Sequence, residues 1–97
     1  MDDLYTIIEF NENDKWFVIG TTTYNSQKYN CLMRVNSQED DLLNEFMVVH
    51  CITQNQEEYF DVVKEKQLLQ QIIPLMLPIA QKVIDNPKQS LKELLKI

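Results

Sequence analysis

The sequence predicts an α+β domain. It consists of a four- to five-stranded antiparallel sheet or half-barrel over about residues 4–63, packed by a proline-bent helix over about 64–85 and followed by a short C-terminal helix over about 87–96. Three observations predict it. Five short runs rich in β-branched and aromatic residues follow one another before residue 64, with polar turns between them and no helical repeat. From Leu68 onward the apolar residues fall instead at helical spacing. The chain has 97 residues, 44% of them hydrophobic and 25% charged, which suffices for one core but not for two, so residues 1–97 are read as a single domain.

The first strand is read over residues 4–10, L-Y-T-I-I-E-F, closed by the turn N-E-N-D-K. The second, Trp16 to Tyr24, carries the strongest β signal and contains Gly20, the chain's one glycine. A glycine inside a ladder gives up side-chain packing and backbone entropy, so a bulge or bend is expected there. Asn25-Ser26 then turns the chain into K-Y-N-C-L-M-R-V. Period-two alternation sets Tyr29, Cys31, Met33 and Val35 on one face and Asn30, Leu32 and Arg34 on the other. Residues 36–45 read as a polar connection, acidic at its middle. A fourth strand follows from Phe46 to Ile52, and a short fifth lies around Tyr59 to Val63.

In the helical segment the apolar positions 68, 69, 72, 73, 75, 76, 79, 80, 83 and 84 follow the helical repeat. At about 100° per residue they cover roughly half the cylinder. Gln67, Gln70, Gln71, Gln81 and Asp85 fill the other half, and Pro74 and Pro78 fall on that polar side. Each proline removes an amide donor and presses its ring on the carbonyl four residues back. The expectation is one curved helix whose apolar face seals the sheet while both rings look out to water. Asn86 suits an N-cap and Pro87 a first helical position, so a second helix is expected with Leu91, Leu94 and Leu95 on one stripe.

Net charge is −6, from 15 acids and 9 bases, with Arg34 the one arginine. Direct nucleic-acid binding is not expected, because phosphate neutralisation needs clustered cations. Residues 1–79 hold 5 bases and 13 acids, a net of −8, whereas residues 80–97 hold four lysines against Asp85 and Glu93, a net of +2. The eight uncharged residues 72–79 are far short of the ~20 needed to cross a bilayer, and M-D-D-L-Y is acidic where a secretory leader is basic. A cytoplasmic location with no membrane contact is expected.

No catalytic, cofactor or metal residues are assigned. Cys31 and Cys51 match neither a metal spacing nor a Cys-x-x-Cys pair. With one glycine no phosphate-cradling loop can be built. His50 and Cys51 are sequence neighbours, but on a strand they point to opposite faces; a Cys31–His50 partnership across strands is geometrically conceivable. Glu39, Asp40 and Asp41, like Glu57 and Glu58, lie in loop or loop-edge segments and read as a solvated acidic face. Trp16, Phe17, Tyr24, Tyr29 and Phe46 read as core or sheet-face residues.

The candidate partner-binding residues are Leu91, Leu94 and Leu95, flanked by Lys88, Lys92 and Lys96, together with Glu39, Asp40 and Asp41. The tail either packs back on the acidic body or offers its stripe to another protein or a second copy.

F-V-I-G-T-T-T-Y-N-S-Q-K-Y-N-C-L-M-R-V, an acidic loop, E-F-M-V-V-H-C-I and E-Y-F-D-V-V-K-E-K-Q-L-L together resemble the YrzB-like family of small, acidic, uncharacterised bacterial proteins. The resemblance covers about residues 4–72, with Lys28-Tyr29 at the family's Lys-Glu-Tyr-like segment. The chain departs from it in having Asn25-Ser26 where a glycine is expected, a longer proline-containing helix and a second helix. The resemblance implies the fold and no activity. The functional expectation is a small non-catalytic interaction protein of the bacterial cytosol. One alternative is a phage or mobile-element inhibitor whose acidic surface imitates nucleic acid. Another is a small-ligand carrier or enzyme with a pocket between sheet and helix.

Overall fold

The structure, a computed structural model, describes residues 4–36, 38 and 41–87. Five strands precede one helix: β1 (Ile7–Asn11), β2 (Asp14–Tyr24), β3 (Gln27–Val35), β4 (Leu42–Gln54), β5 (Glu57–Val62) and α1 (Lys66–Asp85). The strands form one sheet in the order β1-β2-β3-β4-β5, each antiparallel to the next. The α+β class and the meander are therefore as expected.

Two hairpins turn on left-handed pairs, Asn25 (φ 51°) with Ser26 (φ 63°) and Asn55 (φ 54°) with Gln56 (φ 68°). A two-residue loop with both central residues at positive φ matches the right-handed twist of the strands it joins. Asparagine tolerates this region, which is how the chain forms these turns without glycine.

The sheet curls until its first and last strands touch. Phe10 of β1 and Phe60 of β5 meet edge to face with ring centroids 5.9 Å apart. Inside the curl lie Trp16, Val18, Leu32, Val49 and Cys51. The opposite face carries Phe17, Ile19, Met33, Val35 and Leu42 beneath Ala80 and Val83, and Tyr29 and Val48 beneath Ile72 and Met76. Both faces are thus buried, one by curvature and the other by α1. The alternation expected along β3 holds, with Leu32 inside the curl and Tyr29, Met33 and Val35 under the helix.

Gly20 marks a bulge, as its position in β2 predicts: the β2–β3 register shifts between Val18 and Gly20. It also answers a second demand. A Cβ added at Gly20 would lie 3.2 Å from Met76 Cβ and 3.3 Å from the Met76 carbonyl oxygen. The missing side chain is what lets α1 rest on β2.

Helix α1 is one continuous element of 20 residues with Pro74 and Pro78 inside it, both exposed. Its buried residues are Ile72, Met76, Ala80 and Val83, a single stripe. Ile73 and Leu75, both within the expected apolar half, are 39% and 48% exposed, so the half-cylinder expected from the sequence is too wide. The helix crosses mainly β2 and β3, and a rod lying on two strands of a curled sheet meets it along one line. Burying Ile72, Met76 and Val83 stabilises by roughly 5–8 kcal/mol on transfer arithmetic.

End effects contribute less. Glu65 at the N-cap makes no side-chain capping bond and the first turn has no acid, whereas Lys82 sits favourably in the last turn. The Tyr24 hydroxyl donates to the Gln71 side-chain oxygen and ties the β2–β3 hairpin to the helix.

Two strand starts differ most from expectation. β1 begins at Ile7 rather than Leu4, because Tyr5 turns at φ 66°. β4 begins at Leu42 rather than Phe46, since Leu42 is buried and Asp41 fastens its entry. There Asn36 N–H donates to Asp41 O at 3.0 Å, Asp41 N–H to Asn36 Oδ1 at 3.2 Å and Leu42 N–H to Asp41 Oδ1 at 2.9 Å. The helix expected over 87–96 lies, beyond Pro87, outside the described residues.

Candidate binding groove

β5 is much shorter than β4, and this shapes the surface. Cα pairing with β5 covers only Val49 to Gln54 of β4, and Val63 N–H adds one bond to Val48 O at 2.8 Å. Among the described residues, Leu42, Phe46 and Met47 therefore pair with β3 on one side, residues 43–45 fall at a shift in that register, and none of 42–47 pairs with a strand on the other side. In an antiparallel ladder, alternate residues direct both backbone groups to the same side. Since Val48 faces β5, the amide and carbonyl of Phe46 face the open edge.

A cavity of about 410 Å³ runs beside this edge. Phe46, Met47 and Val48 line it from β4, and Val62 and Val63 from the end of β5. Leu69 and Ile73 supply the α1 wall, and Trp16 reaches it from within the curl. The lining comes from both faces of the sheet, so the groove wraps the strand edge rather than sitting on one side of it. Phe46 and Val62 are each 47% exposed and Ile73 39%, so apolar surface is concentrated beside the edge.

The polar atoms nearby are already engaged. Trp16 Nε1–H donates to Asp14 Oδ1 at 2.8 Å. The Arg34 guanidinium lies 5.6 Å from the Trp16 ring centroid and bridges Asp14 at 3.4 Å and Glu45 at 3.3 Å. The groove therefore offers hydrocarbon and strand-edge backbone, and among the described residues no side-chain acid, base or nucleophile lines it.

A smaller depression of about 230 Å³ lies over Tyr29, His50 and Asp61 at the base of α1. His50 Nε2 is 2.7 Å from Gln27 Oε1, and its ring stacks on Tyr29 with centroids 5.1 Å apart. Cys31 shares that face, but desolvation pushes its thiol up to about 11, so it stays protonated at neutral pH. Cys51 packs inside the curl, away from His50, as strand alternation predicts. Tyr59 donates its hydroxyl to Glu57 at 2.6 Å, and that bond raises the Tyr59 pKa.

Of the partner-binding residues expected from sequence, Glu39, Asp40, Leu91, Leu94 and Leu95 lie outside the described residues. Asp41 is half-buried and its carboxylate holds the start of β4. Glu45 stands near that start, whereas Glu57 and Glu58 follow the far hairpin, nine residues of strand or roughly 30 Å away.

Among the described residues no cluster of His, Cys, Asp or Glu is placed to hold a metal ion, and no helix is long and apolar enough to cross a membrane. No family model matches the chain, and neither curated proteins nor solved structures compared with it give a match.

The sequence marks Phe46 as a core or sheet-face residue and does not assign it to a groove. The available signal was the contrast between a long apolar run at 46–52 and a much weaker fifth strand.

Proposed function

We propose that this protein is a non-catalytic interaction module, acting in the cytoplasm, that receives an extended segment of another protein on the open edge of β4. One observation carries the reading: among the described residues, the edge of β4 at Leu42–Met47 pairs with no strand on its outer side and runs directly beside a groove lined by aliphatic and aromatic side chains. Strand addition draws affinity from backbone hydrogen bonds and specificity from pockets for alternate side chains. The Phe46 backbone supplies the first, and the spaces beside Ile73 and beside Val62 supply the second. With a net charge of −6, the chain favours a neutral or basic segment.

Pro74, with its ring towards water, bends α1 in this reading and tilts Leu69 and Ile73 over the open half of β4. The resemblance of residues 4–72 to YrzB-like proteins implies no activity. Acidic residues at opposite ends of β4 weigh against a nucleic-acid mimic, which needs carboxylates spaced over one surface. The absence of converging polar groups in the groove weighs against a ligand carrier or enzyme.

Peptides selected against the full chain from a display library test the proposal, with amide shifts and Trp16 emission as readouts. Selected peptides should be apolar at alternate positions, shift amides 42–48, 69 and 73, and lose at least tenfold in affinity to Phe46→Lys. Shifts confined to another surface, or affinity indifferent to Phe46→Lys, would overturn it. So would a groove filled only by a second copy of the chain, seen as concentration-dependent shifts without peptide.

A further inference from the structure

On the inner face of the curl a row of charges crosses three neighbouring strands and stops at the open edge. Trp16 of β2 stands opposite Arg34 of β3. The Arg34 guanidinium reaches Asp14 of β2 at 3.4 Å and Glu45 Oε2 of β4 at 3.3 Å. Asp14 also accepts the Trp16 indole N–H at 2.8 Å, which holds the acid at the β2 end of the row. Glu45 falls at the shift in the β3–β4 register, and the ion pair is what sets it beside Arg34. From β2 to β4 the row therefore reads negative, positive, negative. Two carboxylates share one guanidinium, a net of −1, and the row ends on β4, which pairs at 42–47 with no further strand among the described residues.

We propose that Glu45 sets the specificity of this edge and that the segment received there carries a lysine or arginine beside it, an inference that rests on β4 receiving an extended guest. A strand laid along residues 42–47 continues the sheet, so its side chains alternate between the same two faces. Phe46 lies on the helix side with its β3 partner Met33, and Met47 on the inner face with Leu32. The guest residue beside Met47 thus enters the space at Val62 and Trp16. Two positions along the guest, on that same face, the next side chain stands beside Glu45.

Cross-strand neighbours on one face are where a sheet distinguishes partners, because opposite charges attract and like charges directly opposite repel. Glu45 is the most open member of the row, its side chain 54% exposed against 37% for Arg34 and 31% for Asp14. A carboxylate has about four acceptor sites, and Arg34 meets this one through Oε2, so a second cation can be held without releasing the first. A guest aliphatic at this position strips water from Glu45 and returns no hydrogen bond. A guest glutamate sets two carboxylates side by side. A lysine or arginine continues the alternation and lays its stem along the Met47 side of the groove.

Parallel selections from one peptide display library, against the wild-type chain and against Glu45→Lys, test the assignment. Amide shifts at 42–48 confirm where the selected peptides sit. The wild-type selection should enrich lysine or arginine two positions from an apolar residue, and the Glu45→Lys selection should enrich aspartate or glutamate at that position. In a wild-type-selected peptide, replacing the basic residue by norleucine should weaken binding about three- to fivefold at low salt. The isosteric Glu45→Gln chain should bind the two peptides equally.

An unchanged basic preference in Glu45→Lys overturns the inference, as does a lysine-to-norleucine difference that persists in Glu45→Gln. Peptides that shift amides 42–48 and fail on Phe46→Lys, yet show no charge preference, overturn the role of Glu45 and leave strand addition standing. Shifts confined to another surface remove strand addition, and the role of Glu45 with it.

Discussion

Replacing Gly20 with alanine isolates the contact on which the sheet–helix packing depends. Gly20 has no positive φ, so the substitution adds no backbone strain, and alanine in a strand gains about 0.5–1 kcal/mol over glycine in conformational entropy. Against that stands the new methyl. It would sit 3.2 Å from Met76 Cβ and 3.5 Å from Ala80 Cβ, and 3.3 Å from the Met76 carbonyl oxygen, which belongs to the helix backbone and cannot swing aside.

The helix must therefore lift by a few tenths of an ångström along its whole buried stripe. Overpacking of this kind costs about 1–3 kcal/mol. The net expectation for Gly20→Ala is a loss of about 1 kcal/mol, and for Gly20→Val, with two further methyl groups, at least 3 kcal/mol. In a domain of this size 1 kcal/mol lowers Tm by roughly 4–8 °C. Urea titrations read by Trp16 fluorescence and by far-ultraviolet circular dichroism give the numbers. Gly20→Ala as stable as wild type, with an unchanged m-value, would refute the argument that α1 approaches β2 through the missing side chain.

Four further outcomes follow from local geometry. Gln56→Gly relieves a left-handed residue at φ 68° and should raise stability by about 0.5–1 kcal/mol in a urea titration; a loss would mean the glutamine side chain holds the turn. Glu65→Asp places a short carboxylate where α1 lacks a side-chain cap, for a gain of about 0.5–1 kcal/mol in the same assay.

Cys31, pushed up from an ordinary 9.0 to about 11, keeps its proton longer folded than unfolded. Its contribution to stability is therefore intact below about pH 9 and falls as pH rises towards 11, by up to roughly 2–3 kcal/mol. Cys31→Ala should flatten that decline. Arg34→Ala should lower stability by no more than about 1 kcal/mol, because its partners are partly solvated, and should shift Trp16 emission through the lost guanidinium.

What the sequence revealed and what it hid have physical causes. Alternation in residues 29–35 assigned faces correctly, because both faces of β3 are buried and period two then has no competitor. Gly20 announced a bulge, since few other roles suit a glycine within such a strand. Asn44 and Glu45 looked like loop because they are exposed in a strand beside an open edge, where polar residues cost nothing. The width of the buried stripe on α1 depends on how many strands lie beneath it, a tertiary quantity that periodicity does not contain. The groove was hidden for a related reason. It arises from the unequal reach of β4 and β5, which is a property of pairing register and not of composition.

Amide hydrogen exchange along β4 in the free, dilute protein tests the central claim most directly, because an edge that receives a partner must be vacant without one. The Phe46 amide, directed at the open side, should exchange at close to the unprotected rate, while Val49, held by neighbouring strands on both sides, is strongly protected. Equal, strong protection of Phe46 and Val49 in dilute solution would show the edge already covered and would contradict the account.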